Sequence, residues 1–190
     1  MNDSLKRLLL FGVLAELLIF GFSYGFHPET GDTFRHAARY SGRLSLLVFL
    51  YTFYLYASNY PKPVKEYQAL RNFLTLFAIL HLIHFGFLSA SVYLNAIPLE
   101  TSKVIGGALA YLMIVAAPFK LHQVNVKLQL VYFYYVSLVM ALTIVARLKG
   151  ELEGAEVSWF HYLGLSLIVL CAVLFGIWIY QGSRRSYDKG

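Results

Sequence analysis

His81 and His84 stand three residues apart in FAILHLIHFGF (77–87), a run with no other polar side chain. On a helix that spacing projects both imidazoles from nearly one face. Ionisable side chains within a membrane normally face the bundle interior and mark a site. Neutral imidazole is a good ligand for haem iron, and a dry pocket tunes its potential. The pair therefore points to metal or haem ligation. The alternative is two histidines hydrogen-bonded to carbonyls or hydroxyls of neighbouring helices. Counted from Arg71, His81 lies roughly 15 Å deep and His84 about 4.5 Å further on.

A b-type haem needs a second axial ligand at matching depth on another helix. The remaining histidines are His27, His36, His122 and His161. His36 and His161 fall at the entrances of the second and sixth apolar runs, roughly 10 Å or more shallower than His84. Arg35, Arg39 and Arg43 repeat at i, i+4 and i+8, one basic stripe leading into the second run. Haem propionates, lipid phosphates or an acidic quinone headgroup would suit guanidinium groups, which pair bidentately with carboxylate and phosphate. Arg39 and Arg43 are expected to face inward at the mouth of the bundle. Glu16 interrupts the first run near its centre, where a charged carboxylate is costly. It is expected to be protonated, or paired with an inward-facing Arg or His. Tyr132, Tyr134 and Tyr135 in LVYFYYVSL read as an aromatic belt. The lone Cys171 reads as a small hydrophobe. No nucleophile triad, paired carboxylates or phosphate loop is present.

The elements that hold these residues are legible from hydropathy. Of 190 residues, 58% are hydrophobic and 14% charged, against about 25% charged in a soluble domain. Mean hydropathy is +0.60. Six apolar runs (8–26, 40–58, 71–94, 103–119, 128–147 and 159–181) each approach the ~20 residues that cross a bilayer core. The connections are short, so the expectation is an all-α integral membrane protein, one six-helix bundle and a single domain over 1–190. Pro61 and Pro63 mark the turn after the second run, and Pro118 the end of the fourth. Gly21 and Gly25, like Gly106 and Ala110, read as close helix contacts in the bundle.

Lys and Arg divide ten to six between the two sets of run ends, ten on the side of the termini. That bias places both termini in the cytoplasm. The net charge of +6 is spread over run ends, which suits lipid headgroups and not nucleic acid.

RYSGRLSLLVFLYTFYLYASNYP (39–61), LRNFLTLFAILHLIHF (70–85) and SKVIGGALAYLMIVAAP (102–118) carry a likeness. They resemble the second, third and fourth helices of the ferric-reductase-like transmembrane domain family. The nearest in style are the small haem membrane subunits of bacterial periplasmic methionine-sulfoxide reductase systems. The resemblance covers roughly 30–147 and implies that His81 is the third-helix haem ligand, with His84 an extra. Where the family has its two fifth-helix histidines this chain has Gln129 and Leu142. His161 or His36 would then complete a haem b site. The metal-ligand set would be His81, His84 and His161, with Arg39 and Arg43 on the propionates.

The implied function is a membrane electron-transfer subunit of an oxidoreductase in a bacterial cytoplasmic membrane. It would pass electrons from a quinone or cytoplasmic reductase to a separate redox partner. The alternatives are a haem-free structural or regulatory protein on the same scaffold, and a small transporter or lipid-binding protein using Glu16 and the histidines.

Overall fold

The computed structural model describes residues 3–62, 64–98, 101–151 and 156–187. Pro63 lies outside the described residues. Among those described there is no strand. The long helices are α1 (Asp3–Phe26), α2 (Thr30–Asn59), α3 (Gln68–Leu94), α4 (Thr101–Lys120), α5 (Val126–Leu148) and α6 (Trp159–Tyr187). Single 3-10 turns, Val64–Glu66 and Leu121–Gln123, interrupt the α2–α3 and α4–α5 connections. Five helices, all but α2, are long and apolar enough to cross a membrane. That is compatible with an integral membrane protein, since a helix satisfies its own backbone in lipid.

The chain divides into two compact units, 1–132 and 133–190. In the first, α2 packs most extensively against α3 and also against α1, while α3 packs against α4 and α1. α2 is the central element. It buries Ala37, Ala38, Ser41, Ser45, Phe49, Thr52, Phe53 and Tyr56, so its low apolarity is explained by its place: flanking helices cover it. It also starts at Thr30, ten residues before the apolar run, and so carries the whole arginine stripe inside the helix. α1 is peripheral and buries only Gly12, Glu16 and Ser23. Its other faces expose Leu10, Phe11, Leu14, Leu17, Leu18 and Phe22, an apolar surface suited to lipid chains.

Paired rings set the register. Phe34 of α2 meets Phe87 of α3 at 6.2 Å and Phe49 meets Phe77 at 5.3 Å, so these helices run antiparallel. Phe20 of α1 stacks on Phe87 at 5.7 Å, and a Cβ at Gly12 would meet Leu76 and Leu80. Numbers rise together in that pair, so α1 runs parallel to α3.

The ends have physical causes. α2 stops at Asn59 because Tyr60 precedes a proline and is extended, with ψ 137°. α3 and α5 end in matching Schellman motifs. Ile97 N–H donates to Val92 O and Ala96 N–H to Tyr93 O, as Glu151 N–H does to Ala146 O and Gly150 N–H to Arg147 O. The left-handed position is filled by Gly150 (φ 71°) in one and by Ala96 (φ 49°) in the other. Asn125 caps α5, its side-chain oxygen accepting from Leu128 N–H at 2.9 Å. Pro118 lies inside α4, which runs on to Lys120.

In the second unit the Tyr134 hydroxyl of α5 donates to the Ala172 carbonyl of α6 at 2.9 Å. Gly176 leaves room beside that hydroxyl, which a Cβ would approach to 3.3 Å. Two of the tyrosines read as an aromatic belt do more than that: Tyr134 ties two helices and Tyr132 is buried. Cys171 is a free, half-buried thiol.

Candidate functional site: a polar layer inside the first unit

The register of α1, α2 and α3 gathers polar side chains at one depth. Ser41 donates its hydroxyl to Glu16 Oε1 at 2.8 Å, and both residues are buried. One residue further along α2, Gly42 faces the His84 ring, and a Cβ there would lie 3.0 Å from His84 Cε1. Interpolating between the Gly12 and Phe20 contacts puts Glu16 at the level of His84. One helical turn away, Ser45 Oγ and His81 Nδ1 are hydrogen-bonded at 2.8 Å. The Tyr111 ring of α4 stacks on His81 at 4.5 Å. The layer thus comprises Glu16, Ser41, Ser45, His81 and His84, with Gly42 and Tyr111 shaping it.

The expectation that both histidines point inward holds in degree. His84 is buried, while His81 is half-buried between Tyr111 and Phe77. Their ring centroids are 5.6 Å apart.

The other expected residues have the following surroundings. His36 stacks face to face on His27, centroids 3.6 Å apart and planes within 3°, where α1 gives way to α2. His161 belongs to the second unit, where its Nδ1 accepts from Ser158 N–H at 3.1 Å, a local bond in the first turn of α6. Arg43 lies over the ring of Tyr40, one turn back on its own helix, at 5.2 Å, and Arg39 is half-buried. Arg35 is tied between helices. It donates to Asp32 Oδ1 at 2.8 Å and to Asn95 Oδ1 at 2.7 Å. Asn95 in turn donates to Gly31 O, clasping the α3 end to the α2 start.

Gln129 is fully buried. Its amide nitrogen donates to Leu121 O (3.1 Å) and Val124 O (3.0 Å), and its oxygen accepts from Val64 N–H at 3.4 Å. One side chain fastens both 3-10 turns. A neutral imidazole has one donor and one acceptor and could not make all three bonds.

These placements test the fit to haem b. Axial ligation needs two imidazoles opposed across the iron. Within the first unit the imidazoles of the polar layer come from α3 alone, and adjacent turns of one helix cannot oppose each other. Among the described residues no group of three or more His, Cys, Asp or Glu is arranged to hold a metal ion. The residues gathered in this layer do not fit a bis-imidazole haem.

Sequence reasoning missed Ser41, Gly42, Ser45, Tyr111 and Asn95, and read Gln129 only as an absent histidine. The signal for Ser41 and Ser45 was their i, i+4 spacing, in step with buried Ala37 and Phe49 on one face of α2. The small-residue pairs went the other way. A Cβ at Gly21, Gly25 or Gly106 would meet nothing within 4 Å, whereas Gly12, Gly31 and Gly42 sit at the close approaches. Gly21 and Gly25 are therefore not positions of close helix approach, although Ala110 is buried.

No family model, curated protein or solved structure matches this chain.

Proposed function

We propose that this chain is a haem-free integral membrane subunit on a scaffold like that of the ferric-reductase-like domain, with a structural or regulatory role towards a partner protein. It crosses a bacterial cytoplasmic membrane six times, with both termini inside. α2 is the sixth span because α1 and α3 cover the polar face that keeps its hydropathy low. The ten-to-six distribution of Lys and Arg supports the orientation.

The observation that carries this reading is the bonding of Gln129. At the position where the family resemblance calls for a haem ligand, the chain has a buried amide already engaged with three backbone groups. The His81 Nδ1–Ser45 bond adds that a polar partner for the α3 imidazole comes from within the bundle. Such bonds between membrane helices contribute about 0.6–2 kcal/mol each, enough to fix register without any cofactor.

The test is an absorption spectrum of the protein purified from cells well supplied with haem. A colourless preparation is expected. A red protein with a Soret band that disappears in His81→Ala would restore the electron-transfer reading in its place.

A further inference from the structure

Glu16 is a member of the polar layer that helix packing leaves incompletely explained. Its residue exposure is 2%, and Oε1 accepts from Ser41, while Oε2 is buried with no hydrogen-bond partner. No cation is paired with it among the described residues. The charged and titratable groups near this level on the two helices packed against α1 are Arg39, Tyr40 and Arg43 of α2 and His81 and His84 of α3. Of these, Arg43 lies over Tyr40, and His81 is held by Ser45. A carboxylate here would carry its charge in a dry seam with a single hydroxyl donor, which is strongly unfavourable. A neutral acid costs less: Oε1 keeps its donor, and the Oε2 hydroxyl leaves one donor unsatisfied in place of a buried charge. A sodium or other hard cation would want six or so oxygen ligands, whereas the hydrogen-bonded pair supplies three, the two carboxyl oxygens and Ser41 Oγ.

We propose that Glu16 is a proton-binding site in the interior of the membrane, coupled to the docking of α1 on α2 and α3. Uptake adds one proton from water to Oε2. No other bond is made or broken, and Ser41 donates to Oε1 in both states. The coupling follows from the position of the carboxyl. Gly12, Glu16 and Ser23 are the residues α1 buries, so the carboxyl sits in the middle of the face that this helix packs against its neighbours in the first unit. Gly12 abuts Leu76 and Leu80, and the Ser23 hydroxyl turns back to Ile19 O at 2.8 Å, so neither supplies a polar bond across the seam. Removing the proton would place a charge there and favour release of α1 towards water and headgroups. The site does not depend on whether the protein binds haem.

Infrared difference spectroscopy of the intact protein in lipid vesicles tests this. At about pH 7, well above the ~4.3 of a glutamic acid in water, the carbonyl stretch of a protonated carboxyl is expected. It should vanish in Glu16→Gln, whose amide keeps the Ser41 bond. In Ser41→Ala it should persist and move to higher frequency, because its hydrogen-bond donor is gone. As the pH is raised until the band fades, α1 amides should exchange faster in the native protein than in Glu16→Gln at the same pH. Absence of the band at neutral pH, its survival in Glu16→Gln, or an unmoved band in Ser41→Ala overturns the proton site. Equal exchange in the two proteins overturns the coupling to α1. Should Glu16→Gln fail to fold, the Ser41→Ala shift decides the site by itself.

Discussion

Gln129 shows how one residue can separate a scaffold from the chemistry of its look-alikes. Its type alone reads as a missing histidine, and its bonds read as a staple across two turns. Gln129→Leu should therefore lower stability by at least about 1–3 kcal/mol, the cost of leaving one buried backbone group unsatisfied. Thermal unfolding in detergent measures this. Gln129→His should be destabilising too, and should not give haem binding. Ser41 and Ser45 make the same point. Nothing in their type announces that one meets a carboxyl and the other an imidazole.

Helix α2 owes its position to the pattern of small residues on one face, and the glycines make the pattern testable. At Gly42 an added methyl would stand 3.0 Å from the His84 ring. Overpacking of that kind costs about 1–3 kcal/mol, more than the ~0.5–1 kcal/mol gained by removing a helical glycine. Gly42→Ala should destabilise. Gly21→Ala in α1 meets nothing and should be neutral or stabilising by that smaller amount. The helix ends permit a third comparison. The proline after Tyr60 was a legible stop signal, whereas Ala96 fills a left-handed position without the usual residue for it. Ala96→Gly should raise stability by about 0.5–1 kcal/mol, seen as a higher unfolding midpoint.

For the molecule as a whole, the proposed topology makes a prediction that needs no purified protein. Reporter fusions in the 62–71 connection should report the cytoplasm, and fusions after Gly150 the opposite side. A 62–71 connection found outside would reverse the orientation drawn from the basic residues. The membrane character and the run of long helices were determined by sequence alone, because each apolar segment closes its own backbone hydrogen bonds and needs no partner to be a helix in lipid. The histidine pair and Glu16 were visible as residues that do not belong in oil. Their partners were not, because Glu16 and Ser41 are 25 residues apart and Ser45 and His81 are 36 apart. Which polar groups meet depends on the axial register of one helix against another. That register is set by ring pairs such as Phe20–Phe87 and by close approaches at Gly12 and Gly42, which exist only once the helices are packed.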